Sequence, residues 1–181
     1  MAMQPGMLYR FVTRDLTNLS LLRRRKFDAL LVTLHQSGTH WLIHLLSYIL
    51  SRQYTLPMQS DLDVPTLISR ANEAPLYDNI PYIGHTHTIP SWLVHSLPFR
   101  STLEFPKTIL LVRDIRSSMV ACFDRYGYKT EFSTYVRGDP WKRRYRKDIW
   151  RDIRFLNAWD TFRRRMPERF LLVRYEDMQA D

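Results

Sequence analysis

The stretch LVTLHQSGTHW, residues 31–41, joins an apolar run (29–32) to an apolar-patterned segment (42–50) through a single glycine. That is the order strand, turn, helix. Gly38 lets the backbone bend with no side chain in the way, and the amides that open the following helix have no acceptor within it. Together with the helix dipole they make a place for a phosphate-like anion, to which the hydroxyls of Ser37 and Thr39 would add donors. The alternative is a plain strand-to-helix turn capped by a serine or threonine. An ATP-type phosphate loop needs a second glycine and a lysine, and their absence argues against a kinase or ATPase of that kind.

Three other stretches carry groups with chemistry. In HTHTIP, His85 and His87 lie two apart at a strand end and so face the same side. A histidine with a near-neutral pKa suits a general base, although a lone histidine is as readily structural. In LLVRDIRSS, Arg113 ends a strand, where it could pair with Asp114 or Asp177. Tyr175 opens YEDM, where it could be a sheet-end residue bonded through its hydroxyl, and Trp41 could be a core residue at a helix start. No metal is expected: the carboxylates are scattered, Cys122 is the single cysteine, and no histidine pair has helical metal spacing in an acidic setting.

The elements that must position these residues alternate. Strands are expected at 29–34, 82–86, 108–112 and 170–174, each short and rich in Val, Ile, Leu or Phe. Helices are expected at 39–52, 64–72 and 117–125, with a short turn near 90–96. A long helix follows, carrying Ile149, Ile153, Leu156 and Phe162 and stopped by Pro167. Residues 126–141 read as an aromatic-rich loop, and residues 1–27 as an amino-terminal segment with a short helix near 17–24. Residues 28–181 then form one α/β domain, a three-layer sandwich around a parallel sheet of four or five strands. In such sheets ligands bind beyond the carboxyl ends of the strands, where HQSGTHW, HTHTIP, RDIRSS and YEDM all fall.

The totals agree with a globular domain: 181 residues, 45% of them hydrophobic, with a net charge of +9. Apolar runs are far below the roughly 18 residues that span a bilayer, and no secretory signal opens the chain, so a cytoplasmic protein with no transmembrane segment is expected. The positive charge suits anionic partners. It gathers in RRRK (23–26), KRRYRK (142–147) and RRR (163–165), and the last two lie in a helical pattern that reads as a solvated face. The arginine most suited to a site is single and strand-terminal, outside these clusters, so no nucleic acid is expected as a partner.

SGTHWL, LLVRDIRSSMVACF and RFLLVRYEDM, in this order and each tied to a strand, resemble the sulfotransferase family that uses 3'-phosphoadenosine 5'-phosphosulfate (PAPS). The resemblance covers about residues 27–178 and implies a P-loop-NTPase-like sulfotransferase fold. It implies transfer of a sulfuryl group to a hydroxyl or amine of an acceptor, with PAPS as co-substrate and no metal. The family's loop, Lys-Ser-Gly-Thr-Thr-Trp, falls on Gln36, Ser37, Gly38, Thr39, His40 and Trp41, which would cradle the 5'-phosphosulfate, with Trp41 on the adenine. Arg113 would hold the 3'-phosphate and Tyr175 would lie near the adenine. HTHTIP matches the family's Lys-Thr-His-Leu-Pro with His87 at the base, although one extra residue before Pro90 leaves His85 as the alternative.

The resemblance has departures. Gln36 stands where the family has the lysine that contacts the leaving oxygen, so its catalytic donor is uncharged; His35 or His40 could supply a cation there. Ala121 stands where the family has a serine on the 3'-phosphate, with Arg116, Ser117 or Ser118 as substitutes. The family's Arg-Lys-Gly segment lies beyond YEDM, as in a short or truncated member. The acceptor is expected to be a small hydroxylated molecule or a carbohydrate, with Trp92, Phe99 and the aromatics of 126–141 as pocket candidates. The departures also fit an impaired relative that binds the nucleotide or serves as an interaction domain.

Overall fold

In a computed structural model of the chain, the described residues are 19–57, 66–70, 72–91, 94, 105–138, 145 and 147–180. After a 3₁₀ turn at Ser20–Arg24, the segment ALLVT forms β1 (Ala29–Thr33). Its side chains alternate between two covered faces, which is why the strand is apolar throughout. Leu30 and Val32 pack with Phe155, Trp159 and Phe162, whereas Leu31 packs with Leu42, Ile43 and Leu50. The chain continues through α1 (Thr39–Gln53), β2 (Ile68–Ser69), β3 (Ile83–Thr86), β4 (Lys107–Val112), α2 (Ile115–Tyr126) and α3 (Phe132–Arg137). It ends with α4 (Ile149–Arg165), β5 (Phe170–Arg174) and α5 (Tyr175–Ala180).

The five strands form one sheet in the order β2-β3-β1-β4-β5, every pair parallel. β1 is central, with Leu31 opposite both His85 of β3 and Ile109 of β4. The loop after β1 therefore emerges between the loops after its two neighbours, and the polar stretches gather on one rim.

Two expectations are corrected. The helix expected at 64–72 is replaced, within the described residues, by β2: Ile68 and Ser69 pair with Ile83 and Gly84. Leu67 and Ile68 are buried against the α1 side of the sheet, so pairing with the otherwise open edge of β3 outweighs local helical pattern. The loop expected at 126–141 contains α3, because Phe132, Tyr135 and Val136 share a helical face. Tyr135 is fully buried among Met119, Cys122 and Tyr145, and Gly138, at φ +57°, ends the helix. Most of the turn expected near 90–96, with Trp92, Phe99 and Trp141, lies outside the described residues.

The long helix α4 starts where Asp148 caps it, its carboxylate accepting from the Arg151 amide at 2.8 Å. Asp148→Ala is expected to cost about 1 kcal/mol of stability, within a range of about 0.5–2. Urea unfolding checks this as a lowered midpoint at unchanged slope.

Candidate functional site

The turn after β1 is bent by two residues in the left-handed region, Gln36 at φ +60° and Gly38 at φ +85°. Gly38 has a second reason to be glycine, since a Cβ there would stand 2.5 Å from Cδ2 of Tyr175. Gly38 is also the N-cap of α1 and brings no capping side chain, so the first amides of the helix keep no protein acceptor of that kind. Thr39, His40 and Trp41 thus present N–H groups at the positive end of a 15-residue helix.

These residues border a cleft of about 440 Å³. Of the residues singled out in the sequence, Gln36, Gly38, Thr39, His40, Trp41, His87 and Arg113 line it. Ser37 and Tyr175 do not. Ser37 is completely buried and its hydroxyl donates to the Leu34 carbonyl at 2.5 Å, so it closes the turn from inside. Tyr175 instead forms the backing of the loop: it packs under Gly38, lies edge-on to Trp41 with centroids 6.0 Å apart, and carries the Arg113 guanidinium 4.3 Å above its ring. Trp41 is 40% exposed, which removes the core alternative.

Arg113 pairs with neither carboxylate considered for it. Its Nη1 donates to the Gln36 carbonyl at 3.1 Å, and its Nε is buried with no acceptor among the described residues. Asp114 caps α2 through the Ser117 amide and meets the exposed Arg116. The substitutes considered for the serine at Ala121 have partners of their own. Arg116 and Ser117 are engaged with Asp114, and Ser118 is buried on the His35 carbonyl. Arg125 lines the cleft in their place, with Tyr126 beside it. Sequence reasoning missed Arg125, although it stands four residues after Ala121 and so on the same helical face, one turn on.

His87 is the most constrained of the histidines. Its Nδ1 lies 2.8 Å from the Thr33 carbonyl and 2.9 Å from the Thr33 hydroxyl, which in turn accepts from Thr39. A carbonyl can only accept, so Nδ1 carries the hydrogen and Nε2 is the basic nitrogen. The ring stacks on His35 at 4.0 Å, and its Nε2 is 3.4 Å from that of His85. Burial lowers the pKa of His87, the Thr33 carbonyl opposes this, and the nearby Arg151, His40 and Lys147 lower it further. His85 is lowered to about 4 by burial and then by His87. Both rings are therefore neutral at pH 7.

A second cleft, of about 720 Å³, opens on the other side of α1 toward β2 and β3. His40 borders both clefts, while His85 lines only this one. Among the described residues no group of three or more His, Cys, Asp or Glu could hold a metal ion, and no helix is long and apolar enough to cross a membrane.

Beneath the turn, Lys147, which with Tyr145 makes up the described part of the charge run KRRYRK, departs from the solvated face expected of that run. Lys147 is buried, ion-paired with Asp152 at 3.0 Å and donating to the His35 carbonyl at 2.6 Å. In the RRR run, by contrast, Arg163 and Arg164 meet Asp160 on an open face.

Comparison with curated proteins gives no match. The family model described as Sulfotransferase domain matches residues 26–181, from the approach to β1 through the turn, both clefts and α5. The chain belongs to the sulfotransferase domain family.

Proposed function

We propose that the chain moves a sulfuryl group from 3'-phosphoadenosine 5'-phosphosulfate to a hydroxyl of an acceptor. The observation that carries this reading is His87, held through Nδ1 by Thr33 and lining the same cleft as Gly38, Thr39, His40 and Arg113, with its Nε2 3.4 Å from that of His85, which lines the second cleft. The co-substrate supplies an activated sulfuryl group on a phosphate leaving oxygen. The amides of Thr39, His40 and Trp41 would receive the 5' end, where charge grows during transfer. Arg113 and Arg125 would receive the 3'-phosphate and Trp41 the adenine face. His87 Nε2 would take the acceptor's proton.

The acceptor would enter the second cleft, whose described wall includes Ser47, Thr66, Ser69, Arg70 and Glu73. No Phe, Tyr or Trp is among the described residues lining it, although Ile43, Ile68 and Leu76 are, and this composition favours a polar, hydroxylated acceptor over a flat phenol. Sulfuryl transfer measured with a panel of sugars, alcohols and phenols tests the reading, alongside calorimetric titration with the product, 3'-phosphoadenosine 5'-phosphate. Gln36 favours a second reading, a nucleotide-binding relative with little catalysis, which predicts binding without turnover.

The Arg113 role has its own test. Arg113→Ala is expected to weaken affinity for the bisphosphate by about 1.5–3 kcal/mol, the scale of a hydrogen bond to a charged group. If the variant binds as well as the native chain, while deleting the ligand's 3'-phosphate does lower affinity, the 3'-phosphate belongs elsewhere.

A further inference from the structure

We propose that Lys147, together with Ser118, is a positioning residue for the anion-binding turn, gripping the His35 carbonyl from below so that the Gln36 N–H faces the 5' end of the nucleotide. The inference rests on the donor reading above. Lys147 and Ser118 are both buried, and both donate to one oxygen: Nζ at 2.6 Å and the serine hydroxyl at 2.9 Å to the His35 carbonyl. The ammonium also donates to the Ser118 oxygen and is ion-paired with Asp152 at 3.0 Å. Both lone pairs of the carbonyl are thereby filled from inside the protein.

The peptide joining His35 to Gln36 is planar and trans, so its N–H points opposite to its carbonyl. With the oxygen drawn inward, the Gln36 amide is turned outward to the cleft that Gln36 lines. Gln36 adopts φ +60°, a conformation that costs a non-glycine residue about 1 kcal/mol or more and persists where its surroundings fix it. Here they do so from both ends, Lys147 on the carbonyl before it and Arg113 on its own carbonyl. The side chain of Gln36 brings no charge, and the oriented backbone amide supplies a donor beside it.

The ion pair itself is a poor source of stability. Burial lowers the pKa of Lys147 and raises that of Asp152 to about 6, each opposed by the other partner. Apolar replacement of a buried pair is often neutral or stabilising, whereas removing one partner leaves a buried charge. The informative variant is therefore the double change Lys147→Met with Asp152→Leu, with Ser118→Ala as a milder second probe that keeps the pair.

Each variant is titrated with 3'-phosphoadenosine 5'-phosphate and with adenosine 3'-phosphate, which lacks the 5' group, and its melting temperature is recorded. The double variant is expected to lose about tenfold or more in affinity for the bisphosphate, the scale of one hydrogen bond to a charged group, and to bind adenosine 3'-phosphate as the native chain does. Ser118→Ala is expected to show a smaller loss with the same selectivity. Equal losses for both ligands, or no loss for either, overturn the proposal and mark the pair as packing only. If the double variant does not fold, Ser118→Ala decides by the same comparison. A native chain that binds neither ligand overturns the donor reading instead.

Discussion

His87→Ala is expected to lower the turnover of sulfuryl transfer by about 10²–10⁴-fold, the contribution of a positioned general base, while leaving affinity for 3'-phosphoadenosine 5'-phosphate nearly unchanged. The expectation follows from how the ring is held. Nδ1 is committed to Thr33, so Nε2 is the nitrogen left to take a proton, and the helix-end amides that receive the nucleotide belong to other residues. The pH profile is a second readout. A base must be neutral to accept a proton, and burial holds His87 below an ordinary histidine's pKa of about 6.5. The rate is then steady from alkaline to neutral pH and falls as pH drops below about 6.5. His85→Ala is expected to keep the rate, since His85 does not line the cleft that holds the turn; loss of the rate in that variant would identify His85 as the base. An unchanged rate in His87→Ala would remove the base assignment outright.

The parts of this site that the sequence makes legible are those set by short periodicities. β1, β3, β4 and β5 are apolar runs a few residues long, and their order with intervening helices is enough to place Gly38, His87 and Arg113 on one rim. His85 and His87 share a side because strand side chains alternate, and their Nε2 atoms do meet at 3.4 Å. What stays hidden is set by contacts distant in the chain. β2 is two residues long and exists because β3 would otherwise be an edge. Ser37 has the right type for a phosphate ligand, yet its hydroxyl finds the Leu34 carbonyl first. Lys147 is the clearest case. Nothing in KRRYRK separates it from its neighbours, and its partner Asp152 is five residues away across the helix cap, outside the i, i+4 spacing by which ion pairs are recognised. Only the placement of α4 against the turn makes that lysine a part of the site.

Gln36→Lys is expected to raise turnover by about a hundredfold, the scale of one charge-stabilising donor at a leaving oxygen. Gln36 lines the donor cleft, and its backbone is fixed at φ +60° by Arg113, a constraint that a lysine meets at about the same cost. The described residues around that cleft include no carboxylate to capture the new ammonium: they are His35, His40, His87 and neutral groups, with Arg113 and Arg125. The cation is therefore left for the anion. Its interaction grows as negative charge accumulates on the leaving oxygen, so the gain belongs to turnover more than to affinity for the bisphosphate product. A gain confined to binding would mean that residue 36 meets the ground state alone. The decisive comparison sets the native chain beside the lysine variant with PAPS and the acceptor panel. Turnover in the variant that exceeds a measurable native rate identifies a working enzyme limited at the leaving oxygen. Nucleotide binding with no turnover in either chain identifies the impaired relative, in which the turn, Arg113 and Trp41 hold a nucleotide that the protein does not consume.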